Sequence, residues 1–185
     1  MAKLNLLGVP DQLGFIVDDV KAAAIAWGEK CGVGPFYHFD TAPYEILYRG
    51  KESAPVVTIA IAYMGATQIE LIGQHDDQPS VYRDFIKNKG EGLIHMGRFV
   101  PNPKVDSDVV ARRGCELLQF NWDGDHEEDC TYYETVSHPG ALVEFIKATP
   151  ARVARAELMQ RLAREWDGSD PYRPFARLQE EMKGA

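Results

Sequence analysis

QLGFIVDDVK at residues 12–21 returns, loosened, as HMGRFVPNPK at residues 95–104. The offset from Gln12 to His95 is 83 residues, and identities fall at Gly14/Gly97, Val17/Val100 and Lys21/Lys104. A second echo lies downstream in each copy: QIELI at 68–72 against LVEFI at 142–146, with Glu70 matching Glu144 at an offset of 74 residues. Self-similarity at a fixed period marks a duplicated supersecondary unit. The shorter second offset means shorter inner loops in the second copy.

Between the echoes the local pattern fills in the unit. Residues 9–17 read as a short strand. Asp18 and Asp19 then cap a helix whose apolar residues Val20, Ala23, Ala24, Trp27 and Cys31 follow helical spacing, ended by Gly32 and Gly34. Phe36–Asp40, Glu45–Arg49, Val56–Met64 and Thr67–Ile72 are short runs rich in Val, Ile, Tyr and Phe, separated by turn residues, and read as consecutive antiparallel strands. A helix over Val81–Lys89, stopped by Gly90, links to the second copy. There the order repeats: a strand at Leu93–Val100, a polar helix near Asp106–Arg113, and strands near Glu116–Trp122, Thr131–Ser137 and Ala141–Lys147. The expected architecture is α+β: two βαβββ modules paired into a half-barrel cavity. The boundaries are about 9–73 for module one, 80–90 for the linker helix and 91–148 for module two, all in one domain of residues 1–185. A helical tail over about 150–185 carries Val153, Leu158, Met159, Leu162 and Trp166 as an apolar stripe, acting as a lid or a dimer contact. Residues beyond Gly168 read as irregular and packed on a neighbour.

Composition narrows the function. With 20 Lys+Arg against 28 Asp+Glu, a formal net charge of −8 and no basic run longer than Arg112-Arg113, nucleic acid and anionic membrane are excluded as partners. A chain of 185 residues buries roughly 70% of its unfolded surface without staples, so a metal here would be functional rather than structural. Cys31, Cys115 and Cys130 lack CxxC spacing, which suits a reducing compartment. The first ten residues do not form a signal peptide, and the longest apolar run, Val56–Met64, is short of the roughly 20 residues that span a bilayer. The expected location is the cytoplasm.

Side chains alternate along a strand. Leu13, Phe15 and Val17 belong under the helix, which sends Gln12 to the opposite, concave face; the same count sends Glu70, His95 and Glu144 there. Alone, a glutamate in IELI would be an exposed residue on a half-wet sheet and His95 a hydrogen-bonded core residue. Together they occupy equivalent positions of two related units, and burying unpaired carboxylates side by side costs several kcal/mol unless a cation compensates them. Gln12, Glu70, His95 and Glu144 therefore form a candidate shell for Zn²⁺, Ni²⁺, Co²⁺, Mn²⁺ or Fe²⁺, with no thiolate to suggest a closed structural zinc. Phe36, Tyr37, Phe39, Tyr44 and Tyr48, on strands after the first helix, are candidates to line the cavity and would select an aromatic or apolar substrate.

The paired units, with QLGFIVDDV, QIELI, GEGLIHMGRFV and HPGALVEFI, resemble the vicinal oxygen chelate superfamily, which includes glyoxalase I, methylmalonyl-CoA epimerase, extradiol dioxygenases and bleomycin-resistance proteins. The resemblance covers residues 9 to 148. It implies metal ligands on the first and last strand of each module, here Gln12, Glu70, His95 and Glu144; the eukaryotic type of glyoxalase I is similar in using Gln, Glu, His and Glu in that order. Two arginines that serve glutathione in glyoxalase I are replaced by Ile16 and Glu91, although Gln74 stands where that enzyme has an asparagine. Glutathione is disfavoured. One histidine among the four positions also disfavours an extradiol dioxygenase, which needs two.

The resemblance implies an isomerase, epimerase or lyase that takes a proton from beside a substrate carbonyl, with the enolate stabilised by the metal. Glu144 is the expected base and Glu70 its alternative. The expected assembly is a homodimer. The rival reading is a metal-free module that sequesters an apolar small molecule, as bleomycin-resistance proteins do; a third is a subunit of a larger assembly. Asn121, Asp123, Asp125 and Glu127 alternate as in a calcium loop, but His126 stands where the glycine belongs, so they read as an acidic hairpin tip. His138 belongs to a turn, and His38 and His75 to strand edges or loops.

Overall fold

In the computed structural model, which describes residues 8–41, 45–122, 128–134 and 141–183, the duplication becomes one curled sheet. The first module comprises β1 (Gln12–Ile16), α1 (Val20–Cys31), β2 (Phe36–Asp40), a hairpin β3 (Ile46–Tyr48) and β4 (Lys51–Ser53), β5 (Val57–Met64) and β6 (Thr67–Gln74). After α2 (Val81–Lys89) come β7 (Gly92–Val100), α3 (Pro103–Ala111), β8 (Glu116–Trp122), β9 (Glu128–Glu134) and β10 (Leu142–Lys147). The tail holds α4 (Pro150–Glu165), β11 (Tyr172–Pro174) and α5 (Phe175–Lys183). The strand order is β11-β2-β5-β6-β1-β7-β10-β9-β8-β3-β4. Inside it, β2-β5-β6-β1 and β8-β9-β10-β7 are the same arrangement read from opposite ends, so the modules meet at the antiparallel β1–β7 seam.

Local chemistry starts and stops the helices as read. The Asp19 side chain accepts from the Ala22 amide at the head of α1, and Gly32 closes it at φ 66°. Ser80 caps α2 by accepting from the Arg83 amide. α3 starts three residues earlier than expected because Asn102 caps it and Pro103 fits the first turn.

The alternation holds. Ile69 and Leu71 of β6 and Ala60 and Ala62 of β5 bury against α1, with Leu13 and Phe15 beside them. Val143, Phe145 and Tyr133 do the same under α3. Each helix thus covers the outer face of its own module, and the polar positions turn inward.

Two features depart from the sequence reading. The 46–48 strand does not lie beside β2 within its own module; β3 crosses to pair antiparallel with β8 of the second. Residues 169–183 pack on the chain itself: β11 pairs parallel with β2, Tyr172 stacks on His38 with ring centroids 3.9 Å apart, and α5 is held when the Tyr37 hydroxyl donates to Glu181 at 2.8 Å. Leu158 and Met159 of α4 join Tyr37, Ile61 and Tyr63 in a cluster, which makes the tail a cover over its own sheet. The calcium-like stretch from Asp123, the His138 turn and Tyr44 lie outside the described residues.

The seam register places Gln12 opposite Gly97 and Gly14 opposite His95. A side-chain carbon at Gly97 would stand 2.7 Å from Gln12 Oε1, and one at Gly14 would overlap the His95 imidazole. Each glycine is the space occupied by the other module's inward side chain. Gly14→Ala is expected to displace the His95 ring and destabilise the fold by about 1–3 kcal/mol, as overpacking does. Denaturant titration and the imidazole NMR resonances check this; a variant with parental stability and an unmoved ring would refute the steric account.

Candidate functional site

Four adjacent strands, β6, β1, β7 and β10, bring the inward residues together in two rows. Gln68, Gln12, Gly97 and Glu144 pair across one row, and Glu70, Gly14, His95 and Leu142 across the next. All four expected ligands converge on one atom: His95 Nε2 lies 2.9 Å from Gln12 Oε1, 3.0 Å from Glu144 Oε2 and 3.3 Å from Glu70 Oε2. His95 is fully buried, Glu144 nearly so, and Glu70 is 13% exposed.

A single ring nitrogen carries at most one proton and cannot satisfy three oxygens. His95 Nδ1 and Glu144 Oε2 have no hydrogen-bond partner. Burial works against the charged imidazolium, but Glu144 and Glu70 outweigh it and hold His95 above its usual value. Burial pushes the Glu144 carboxyl up to about 7, opposed by His95 and reinforced by Glu70. Two acids crowded into one buried recess call for a compensating positive charge.

The donor set fits a divalent ion. Two ligands at right angles, each roughly 2.1 Å from one ion, stand roughly 3 Å apart, which is the spacing found around Nε2. Among the described residues, Glu70, His95 and Glu144 form a group able to hold a metal, with ligand atoms all within 4.8 Å of one another. Gln12 adds an amide oxygen whose orientation is set: its Nε2 donates to Gln68 Oε1 at 2.8 Å, and Gln68 Nε2 donates to the Tyr63 hydroxyl at 3.1 Å. That relay turns Gln12 Oε1 toward His95.

These residues open into a cavity of about 210 Å³. Its wall includes Gln12, Glu70 and Glu144 at one end, with Ile59, Ile61, Phe99 and Ile146 as an apolar lining. Strands from both ends of the sheet contribute, which is why the sheet must curl. The buried hydroxyls of Tyr82 and Tyr132 pair at 2.8 Å, and Tyr132 packs edge-on to His95 with centroids 5.6 Å apart.

Of the aromatic residues expected to line this space, only Phe39 does so among those described. Phe36 faces outward beneath α1, as strict alternation with Tyr37 requires. Tyr37 faces inward but is sealed beneath α4 and α5. Tyr48 rides on the crossed hairpin, and its hydroxyl bonds Asp84 of α2. Gln74 is a staple: its amide donates to Asp76 Oδ1 and the Gln78 carbonyl, both at 2.8 Å, and accepts from Ser80. His38 and His75 also lie away from the cavity wall, His75 Nε2 bonding Thr58 at 2.6 Å. Sequence reasoning missed Gln68, although it shares the inward face with Glu70 two residues on. It also missed Arg152 and Arg155 of α4, which line the cavity from within a helix read only for its apolar stripe.

Comparison with known proteins matches this geometry to a family. The family model described as Glyoxalase/Bleomycin resistance protein/Dioxygenase superfamily matches residues 11–133. No curated protein matches the sequence. Among solved structures, methylmalonyl-CoA epimerase from Mycobacterium tuberculosis superposes with a TM-score of 0.57 at 19% identity, over 83% of this chain and 97% of that one. A hypothetical protein from Bacillus halodurans C-125 gives 0.56 at 19% identity, over 74% and 91%. A Streptomyces coelicolor methylmalonyl-CoA epimerase variant in complex with 2-nitronate-propionyl-CoA gives 0.53 at 15%, over 76% and 94%. At these identities the likeness carries the fold. With two βαβββ modules joined at a central seam and a family match over residues 11–133, the chain belongs to the glyoxalase/bleomycin resistance protein/dioxygenase superfamily.

Proposed function

We propose that this protein is a divalent-metal-dependent isomerase or epimerase, with lyase as the adjoining class, that removes a proton from beside the carbonyl of a small substrate. The observation that carries the reading is the convergence of three oxygens within 3.3 Å of one buried imidazole nitrogen at the end of a cavity. Gln12, Glu70, His95 and Glu144 would hold the ion. When bound, such an ion supplies Lewis-acid stabilisation for the negative charge that grows on a carbonyl oxygen.

The chain's own groups do the rest. Glu144 is the base: it lines the cavity, and burial holds its carboxyl up to about 7, so that it can take and return a proton near neutral pH. Glu70, also on the cavity wall, is the second acid available for the return of the proton on the opposite face, as an epimerisation requires. The Gln12–Gln68–Tyr63 relay fixes the amide, and the apolar wall excludes water. Glutathione is not part of the reading, because Ile16 is buried core and Glu91 is occupied in accepting the Asp18 amide at 2.7 Å. The neighbours named as methylmalonyl-CoA epimerases, one of them in complex with methylmalonyl-CoA, support the epimerase class. A cavity of about 210 Å³ would admit the acyl end of such a thioester and leave a large carrier outside.

Metal analysis of the untagged protein is expected to give about one divalent ion per chain, and little in Glu70→Ala or His95→Ala. A parent that stays empty after incubation with Zn²⁺, Ni²⁺ or Mn²⁺ would favour the sequestering module instead.

Metal binding must displace protons from Glu144 and His95, so affinity should rise with pH through the region near 7 where the Glu144 carboxyl ionises. At one fixed zinc concentration the ion is therefore expected to stabilise the fold more at pH 8 than at pH 6, reaching about 2.7 kcal/mol where that concentration is a hundredfold above the Kd. Equal shifts at the two values would mean that these groups do not ligate it.

Glu144→Gln is expected to slow solvent deuterium exchange at the acidic carbon of methylmalonyl-CoA or another turned-over substrate by about 10²–10⁴-fold, with the fold intact. Undiminished exchange would remove Glu144 from the base role.

A further inference from the structure

The tail closes the cavity with charge as well as bulk. Thr149 caps α4 by accepting from the Arg152 amide at 3.2 Å, and the Arg152 guanidinium forks onto Asp129 of β9 at 2.6 and 2.7 Å while donating to the Lys147 carbonyl at 3.0 Å. Both Asp129 oxygens thereby accept from Arg152. Further along, Leu158 and Met159 anchor the same helix on Ile61 and Tyr63 of β5. α4 thus bridges from β9 of the second module to β5 of the first, across the open side of the curl.

Arg155 lies one turn beyond Arg152 on the same helical face and lines the cavity together with Glu70 and Glu144. Among the described residues it makes no hydrogen bond or ion pair; its guanidinium carbon stands 5.5 Å from the centre of the Phe175 ring. Burial first, and Arg152 second, hold that guanidinium below the usual arginine value. Even so, arginine is not deprotonated in proteins. A partly desolvated cation with an aromatic ring beside it thus faces the cavity.

The charge count calls for an anion beside Arg155. Arg152 cancels Asp129. A divalent ion on Glu70 and Glu144 would cancel those two acids, which leaves Arg155 as the surplus cation. We propose that Arg155 is the carboxylate-binding residue of the cavity, and that the part of the substrate that enters it is a short oxo acid unit with one free carboxylate, held by that carboxylate on Arg155 and presenting its carbonyl toward Gln12, Glu70, His95 and Glu144. The charge count and the second half rest on the metal-site reading; the place of Arg155 on the cavity wall, with no ion pair among the described residues, does not. A guanidinium fork takes a carboxylate through two parallel hydrogen bonds. Arg155 and the Glu70, Glu144 and Gln12 side chains line the same cavity of about 210 Å³.

Titration calorimetry on the full chain, metal-loaded and metal-free, tests this with 2-oxobutyrate and acetoacetate against their methyl esters. The parent should bind at least one acid tenfold or more tightly than its ester. Arg155→Gln should erase that preference with unchanged metal content, and Arg155→Lys should keep part of it. Arg155→Met, which retains the stem against Phe175, replaces the Gln variant if the latter does not fold. Acid and ester binding alike, neither acid binding the parent, or an undiminished preference in the Arg155 variant would each overturn the assignment. A parent that takes up no metal yet keeps an Arg155-dependent preference would sink the metal-site reading and leave the carboxylate site standing.

Discussion

The antiparallel ladder between β1 and β7 is the constraint on which everything else rests. It is where the two copies touch, and its register decides which residues face each other across the pseudo-twofold axis. A slip of one residue would turn Gln12 and His95 outward and replace them with Leu13 and Met96. Gly14 and Gly97 pin the register sterically, because each leaves room for one inward side chain of the other copy and for nothing larger. The parallel pairings with β6 and β10 then transmit that register to Glu70 and Glu144. Four residues scattered over more than 130 positions of sequence are thus placed by three strand pairings.

Electrostatics imposes a second demand on the same place. Two carboxylates and an imidazole sit where water scarcely reaches, and Coulomb repulsion between the acids grows as the dielectric falls. The polar relay behind Gln12 adds no charge to offset this; it only orients an oxygen. Around the rim the fold is more conventional, with Arg152 and Asp129 joined as a bidentate pair that ties the tail to the second module.

Much of this was legible in the residues. Period-two alternation correctly sorted Leu13, Phe15, Ile69, Leu71, Val143 and Phe145 to the outer faces and the four polar positions to the inner one. The duplication then implied that they meet. The glycine match at 14 and 97 was visible as an identity, but its reason lies in cross-strand pairing that no single strand records. The aromatic residues failed for two reasons. Phe36 and Tyr37 are neighbours on one strand and cannot share a face, and Tyr48 belongs to a hairpin whose partner strand, β8, is about 70 residues away along the chain. The apolar stripe of the tail carries no sign of β11, which is three residues long and paired with a distant strand, nor of the cavity-lining role of Arg152 and Arg155.

The crossed hairpin has a consequence for the history of the molecule. By position in the chain β3 and β4 belong to the first copy; by backbone pairing they extend the second, covering an edge of β8 that would otherwise be bare. A gene encoding only one copy could at the outset supply both halves of such a sheet from two identical polypeptides. With this hairpin paired to the other copy, the halves are not interchangeable. Cutting the chain between them would strand the hairpin on one fragment and the edge it protects on the other, so the fusion can no longer be undone without cost.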